Sequence, residues 1–238
     1  MHGGQRVRMP GRDHSMSSTS GGMKQRPTVL VFVKHPEPGR VKTRLAETIG
    51  PERAAALYRQ WIRIVLEQLQ PLRPAIRLVG YFDGTGHEVF RDWHALTDEW
   101  WPQPAGDLGN RLSAGFASAL DSGGPVVAVG TDCLEIGAQL VLDAFETLSK
   151  KNVVLGPTPD GGYYLVGTAA PRPELFHSVR WSSPFTLTDH FRNCREQGWS
   201  IALLPRHHDI DTWDDWQAYL ARSGRNHLDP GGRHPYLE

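Results

Sequence analysis

The sequence predicts a three-layer α/β/α sandwich built on a mostly parallel, mixed sheet. Three observations carry this. Short unbroken apolar runs, such as Val29-Leu30-Val31-Phe32-Val33 and Val126-Val127-Ala128-Val129, have the composition of strands buried on both faces. Stretches with apolar residues at helical spacing lie between them. The two kinds of segment alternate along the chain with no internal repeat, which is the pattern of parallel strands joined by helices packed on both faces.

Taken in order, Val29 to Val33 is the first strand. A Pro/Gly loop follows and runs into helix. From about Pro51, Ala55, Leu57, Tyr58, Trp61, Ile64, Val65 and Leu69 recur at helical spacing, with Pro51 near the start and Pro71 ending the helix. Ala75 to Phe82 reads as a strand, Glu99-Trp100-Trp101 as a short one, and Leu108 to Leu120 as a helix. Pro125 to Gly130 is a buried strand, followed by a helix from Ile136 to Leu148. Strands are expected at Asn152 to Leu155, Gly162 to Gly167 and Ser200 to Leu204. Helices are expected at Pro184 to Gln197 and Thr212 to Ala221.

A chain of 238 residues with this pattern suits one domain, expected over residues 28–222. Residues 1–27 read as a disordered leader, or as an extension upstream of a start at Met23, and 223–238 as a loose tail. The first residues lack the apolar core of a secretory signal, and no apolar run approaches a membrane span. A formal net charge of zero argues against a general nucleic-acid or membrane-surface binder, since those carry a basic excess. The two cysteines, Cys133 and Cys194, have no metal-ligand spacing and read as free thiols in a reducing cytoplasm.

In parallel sheets, ligands sit at the carboxyl ends of strands. The first strand runs into Lys34-His35-Pro36-Glu37-Pro38-Gly39-Arg40-Val41-Lys42-Thr43-Arg44, a loop with four cations. Fixed positive charge and backbone N–H groups suit an anion, most simply the phosphates of a nucleotide; the alternative is a solvated basic turn. The prolines stiffen the loop. Neither a Walker A pattern nor a Gly-x-Gly-x-x-Gly fingerprint is present.

Gly130-Thr131-Asp132-Cys133 follows the central strand. Asp132 there is either a ligand for a hard cation bridging phosphates or the cap of the next helix. His208-Asp209-Ile210-Asp211-Thr212 follows the last strand, with Asp209 and Asp211 candidate ligands and Asp211 or Thr212 a candidate helix cap. Gly106-Asp107-Leu108-Gly109-Asn110-Arg111 opens a helix whose N-terminus and Arg111 would meet an anion, with capping by Asp107 as the alternative. Asp160-Gly161-Gly162-Tyr163 is a tight turn entered through two prolines, either a specificity loop or an ordinary connector. Trp181 is a candidate pocket wall. His207 and His208 lack a third ligand at obvious spacing for a softer metal, and the absence of a Gly-x-Ser-x-Gly elbow leaves a serine hydrolase unsupported.

These segments, in this order, resemble a bacterial family described as glycosyltransferase-A-like or nucleotide-diphospho-sugar transferase-like, some members of which are named for a role in arsenosugar synthesis. The quoted motifs are the cationic loop, Gly106 to Arg111, Gly130 to Cys133, Gly156-Pro157 with Asp160 to Gly167, and Asp209 to Thr212 with Asp214-Asp215. The resemblance runs from about Thr28 to about Leu220. It implies a glycosyltransferase-A-like fold. The wider superfamily includes the guanylyltransferases of molybdopterin dinucleotide and phospholactate cofactor synthesis.

By that resemblance Lys34, Lys42 and Arg44 hold phosphate, and Gly39 of the same loop and Arg111 at its helix start are further phosphate-binding candidates. Asp132 is the main ligand of Mg²⁺ or Mn²⁺, with Asp209 or Asp211 assisting, and Lys34, Lys42 and Asp132 are the catalytic set. An acceptor or sugar would enter over Asp160, Gly161, Gly162 and Tyr163, with Trp181 beside them. Where the family usually has proline after Gly-Thr-Asp-Cys, this chain has Leu134, which is expected to leave that turn freer.

The implied function is a metal-dependent transferase acting on a nucleotide or nucleotide-diphospho-sugar donor and a small-molecule acceptor, with glycosyl transfer placed first. Nucleotidyl transfer with release of pyrophosphate is the alternative, and a non-catalytic nucleotide-binding protein is a second one.

Overall fold

The computed structural model of the protein describes residues 26–84 and 87–225. The expected leader up to residue 25, and the expected tail beyond residue 225, lie outside the described residues. Arg26 and Pro27, which the sequence reading placed in the leader, are tied to the domain. The Arg26 guanidinium donates to the carbonyls of Arg73 and Ile76, and the Pro27 carbonyl accepts from the Arg77 N–H at 2.8 Å.

Seven strands form one sheet in the order β3-β2-β1-β4-β6-β5-β7. They are β1 (Thr28–Val33), β2 (Arg77–Phe82), β3 (Glu99–Pro102), β4 (Val126–Gly130), β5 (Val153–Pro157), β6 (Tyr163–Thr168) and β7 (Ile201–Leu203). All neighbours are parallel except β6, which runs antiparallel to both β4 and β5. The Asp160-Gly161 turn explains the exception, because so short a link returns the chain beside β5 rather than across a face.

Six helices, α1 (Thr43–Ile49), α2 (Pro51–Leu69), α3 (Leu108–Asp121), α4 (Ala138–Leu148), α5 (Thr186–Glu196) and α6 (Trp213–Ser223), complete the sandwich. Strand residues alternate between its two faces. Val29, Val31, Val33, Val127 and Val129 pack with α1, α2, α4 and α6. Leu30, Val126, Ala128, Leu155 and Val166 pack with α3, α5 and the 3₁₀ turn Pro173–Phe176. Both layers are apolar, which is why these strands read as unbroken apolar runs.

The crossovers fix where a ligand can sit. From β1 the chain builds outward through β2 to β3, then returns to place β4 on the other side of β1. The order reverses between β1 and β4, and the crevice beyond their carboxyl ends is the binding place of open α/β sheets. The cationic loop leaves β1 at that point and Thr131-Asp132 leaves β4 beside it.

Candidate active site

Lys42 is the hub of the crevice. It is the N-cap of α1 and adopts the left-handed conformation, φ 48° and ψ 46°, with no side-chain cap. A non-glycine residue there is uncommon. The conformation sends the side chain inward, where only 5 % of it is exposed. Its Nζ is 2.8 Å from Asp132 Oδ1 and 3.0 Å from Asp211 Oδ1, and donates to the Ile210 carbonyl at 2.6 Å. The face of Trp61 is 5.2 Å away. Burial works against the charge, but the carboxylates of Asp132 and Asp211 outweigh it and hold the Lys42 pKa above the ordinary lysine value.

The two carboxylates are positioned by backbone. The Ile210 N–H donates to the Asp132 carbonyl at 2.9 Å, so the turn after β4 and the segment after β7 are laced together. Asp132 caps no helix, because α4 begins later with Gly137 as its N-cap. Thr212 caps α6 through a capping box with Asp215, leaving the Asp211 carboxylate to face Lys42. Leu134 does not loosen the turn as expected. Its side chain is buried in the core and its carbonyl accepts from Gln68 Nε2 at 3.2 Å, which anchors the turn from the far side.

A second seam crosses the crevice at Tyr58. Its hydroxyl lies 2.8 Å from Thr131 Oγ1 and accepts the Lys34 N–H at 3.1 Å. It thereby fixes the start of the loop after β1 to the end of β4. Burial, then the Asp132 charge, pushes the Tyr58 pKa well above the ordinary tyrosine value. Tyr58 reads in sequence as one more apolar position of α2, and only its hydroxyl's partners distinguish it.

Lys34, Lys42, Arg44, Tyr58, Asp132 and Asp211 line one cavity of about 150 Å³. Lys34, Tyr58 and Asp132 are shared with a larger cavity of about 250 Å³, reached past Arg111 and Gln103 and floored by apolar side chains that include Phe32, Leu112 and Tyr163. The Lys34 side chain is exposed, and among the described residues its ammonium has no ion-pair partner. Arg44 stands 3.7 Å from Asp211 Oδ2 and is two-thirds exposed. Arg111, at the start of α3, is braced by the Gly106 carbonyl at 3.1 Å, Gln103 Oε1 at 3.3 Å and Asp83 Oδ2 at 3.6 Å. Asp107 caps α3 by accepting the Asn110 N–H at 2.8 Å, which confirms the capping alternative for Asp107.

Asp209 is half-buried beside this group. Burial, then the nearby Asp132 charge, pushes its pKa up to about 7, with Asp160 and Asp211 adding to the effect and Lys42 opposing it. The Asp160 turn therefore faces the same acidic neighbourhood. Asp160 Oδ1 accepts from Thr158 Oγ1 at 2.5 Å and from the Gly162 N–H at 3.1 Å. Gly161 has φ 89°, and a Cβ there would lie 2.3 Å from the Pro184 carbonyl oxygen. That close approach requires glycine and locks the turn to the start of α5.

Two predicted residues stand apart. Gly39 forms an exposed turn with φ 78° and lines none of these cavities. Trp181 also lines none of them. It packs on Gly109, where a Cβ would lie 3.1 Å from the indole, and on His190 at 5.7 Å between ring centres. Its place is behind α3, where it supports the helix that carries Arg111.

The fold is that of the nucleotide-diphospho-sugar transferases: an α/β sandwich whose mixed sheet opens a polar crevice at the β1/β4 reversal. Within that class the chain belongs to the bacterial family described as "Uncharacterized protein conserved in bacteria (DUF2064)", which matches residues 65–183.

Among solved structures it is similar to a "putative nucleotide-diphospho-sugar transferase" from Desulfovibrio desulfuricans G20, with 31 % identity and a TM-score of 0.75 over 88 % of this chain and 91 % of that one. It shares its fold with 4-diphosphocytidyl-2C-methyl-D-erythritol synthase from Anaerococcus prevotii DSM 20548, at 11 % identity and TM-score 0.54 over 84 % and 99 % of the two chains. It also shares it with Rv0371C of Mycobacterium tuberculosis H37Rv in complex with manganese, at 15 % identity and TM-score 0.51 over 82 % and 98 %. No curated protein matches significantly.

Proposed function

We propose that the protein is a transferase that uses a nucleotide or nucleotide-diphospho-sugar donor, assisted by Mg²⁺ or Mn²⁺, with glycosyl transfer ahead of nucleotidyl transfer. The observation that carries the reading is the meeting of the cationic loop and two acidic residues in one crevice, across Lys42 with Asp132 and Asp211. The D. desulfuricans relative, described as a transferase of this class, supports it.

The donor set fits a hard divalent cation. Asp132 Oδ1 and Asp211 Oδ1 both lie within 3.0 Å of one atom, the Lys42 ammonium nitrogen, which is itself a cation. Among the described residues no cluster of three or more His, Cys, Asp or Glu side chains is suited to a metal ion. A cation held by Asp132 and Asp211 alone would have to complete its shell with phosphate and water. A metal held by Asp132 and Asp211 would supply charge neutralisation at the diphosphate.

This chain's own residues would do the rest. Lys34, Arg44 and Arg111 present positive charge along the crevice and would hold the phosphates as negative charge builds on the leaving group. The apolar floor of the larger cavity would seat the uncharged part of a ligand and keep water from the reacting bond. The acceptor would enter by the Asp160-Gly161-Gly162 turn. Asp209, whose carboxyl pKa is pushed up to about 7 by burial, would accept the acceptor's proton as an alternative to assisting the metal. In glycosyl transfer the acceptor attacks the sugar and a nucleoside diphosphate leaves. In nucleotidyl transfer an acceptor phosphate attacks the α-phosphorus and pyrophosphate leaves.

A thermal-shift screen of nucleoside di- and triphosphates and nucleotide sugars, with and without Mn²⁺, tests the reading. A ligand that binds only the folded state raises its melting temperature, and at least one compound is expected to do so in a Mn²⁺-dependent way. No shift with any compound contradicts the proposal.

A further inference from the structure

Lys42 is placed unlike the other cations of its loop. Lys34 and Arg44 reach solvent, whereas the Lys42 ammonium is buried and ringed by protein oxygens. An ammonium has three N–H donors and no acceptor. Three oxygens stand within 3.0 Å of this one: Asp132 Oδ1, Asp211 Oδ1 and the Ile210 carbonyl. No donor is left for a phosphate in this arrangement. The position it fills is one from which both carboxylate oxygens are reached together.

We infer that Lys42 is a built-in occupant of the cation position, which a divalent metal enters only when a diphosphate arrives to receive the displaced ammonium. This rests on the metal reading of Asp132 and Asp211 given above. Its physical basis is an exchange of counter-ions. Two carboxylates turned toward each other in a half-buried crevice need a cation, and leaving them unpaired is costly. A metal entering alone would have to evict the ammonium into a crevice already lined by Lys34 and Arg44, with no anion beyond the single carboxylates of Asp209 and Asp160 to meet it. A metal entering with a diphosphate supplies that anion. The released Lys42 side chain, hinged at the left-handed turn that begins α1, then has a phosphate oxygen to bind in place of its carboxylates.

The geometry thus ties metal binding to diphosphate binding. The free protein should hold divalent metal weakly although its carboxylates are already gathered, and the two ligands should bind with strong mutual enhancement. This also reconciles the phosphate role that the resemblance implies for Lys42 with its pairing to acidic residues here: the two contacts belong to different ligation states.

The test uses Mn²⁺ alone, followed by electron paramagnetic resonance of the free ion, and the Mn²⁺–pyrophosphate complex, followed by calorimetry. Pyrophosphate is a diphosphate with no base to recognise. Removing the competing ammonium in Lys42→Met should tighten binding of Mn²⁺ alone at least tenfold and weaken binding of the Mn²⁺–pyrophosphate complex. An unchanged or weaker affinity for Mn²⁺ alone overturns the proposal.

Should Lys42→Met fail to fold, the wild-type protein decides. The buried ammonium should give a slowly exchanging ¹H–¹⁵N lysine signal that moves when the Mg²⁺–pyrophosphate complex saturates the site. A signal unmoved at saturation overturns the exchange. If the metal–pyrophosphate complex does not bind the wild-type protein at all, the underlying metal reading fails and the exchange fails with it. If that complex binds wild type and is lost in Asp132→Asn, while Lys42→Met shows no gain for Mn²⁺ alone, only the exchange fails.

Discussion

The Tyr58 hydroxyl lies 2.8 Å from the Thr131 hydroxyl, in a buried contact that joins the middle of α2 to the end of β4. Because the same oxygen accepts the Lys34 N–H at 3.1 Å, one phenol sets the spacing between the cationic loop and the acidic turn. Tyr58→Phe keeps the ring and removes that oxygen. Thr131 retains a contact with the Phe32 carbonyl at 3.3 Å, while the Lys34 N–H loses its partner. The expected cost is about 1–2 kcal/mol of folding stability, read by urea unfolding. A weaker response to the nucleotide identified by thermal shift should accompany it. Unchanged stability and binding would show that the seam is incidental.

Lys34 and Lys42 should separate cleanly. The Lys34 side chain is exposed and pairs with no described carboxylate. Lys34→Ala is therefore expected to leave the melting temperature of the free protein unchanged and to weaken nucleotide binding about 10- to 100-fold, the worth of one charge-assisted contact to phosphate. Calorimetric titration of the same nucleotide checks it. Loss of stability without loss of affinity would place Lys34 in the scaffold instead.

The Asp160 turn is held by shape. Alanine at Gly161 would adopt φ 89° with its Cβ 2.3 Å from the Pro184 carbonyl oxygen. Gly161→Ala should cost about 1–3 kcal/mol from backbone strain alone, with the clash added. If the turn also guides the acceptor, turnover should fall further than donor binding does. A variant as stable as wild type would contradict the close packing of this turn on α5.

His190 gives the protein a pH-dependent stability. Its ring is fully buried among Tyr163, Phe176 and Trp181. Burial lowers its pKa to about 4, against the opposing pull of the Leu175 carbonyl and Asp189. The unfolded chain has a histidine pKa of about 6.5 and so binds the proton first. The contribution is fully present above about pH 6.5 and is lost as pH falls toward about 4, up to roughly 3 kcal/mol. His190→Phe should abolish this part of the acid sensitivity, read as the difference in unfolding free energy between the two proteins at pH 7.5 and pH 5. Parallel losses in both proteins would show that His190 does not titrate in this window.

Much of this was legible in the sequence, and what was not has physical reasons. The strands of the sheet interior stood out because both faces are covered, leaving no polar alternation to obscure them. The short helix α1 was not separable from α2. It buries only Leu45, starts from a left-handed lysine with no side-chain cap, and is divided from α2 by Gly50 alone. Lys34, Lys42, Arg44, Asp132 and Asp211 do gather in one crevice, because each follows a strand whose carboxyl end faces it. Two features lay beyond one-dimensional reading. A tyrosine in an apolar stripe does not announce where its hydroxyl ends, and a lysine in a basic loop does not announce that it turns inward. Trp181, read as a candidate pocket wall, packs instead against Gly109 of α3 and His190 and lines neither cavity of the crevice.

The central claim is that the cationic loop and Asp132 act on one ligand. Calorimetric titration of the Mn²⁺–pyrophosphate complex into wild type, Lys34→Ala and Asp132→Asn tests this most directly. Both variants are expected to lose affinity at least tenfold while remaining folded. Wild-type affinity in Asp132→Asn, with loss confined to Lys34→Ala, would contradict the shared site.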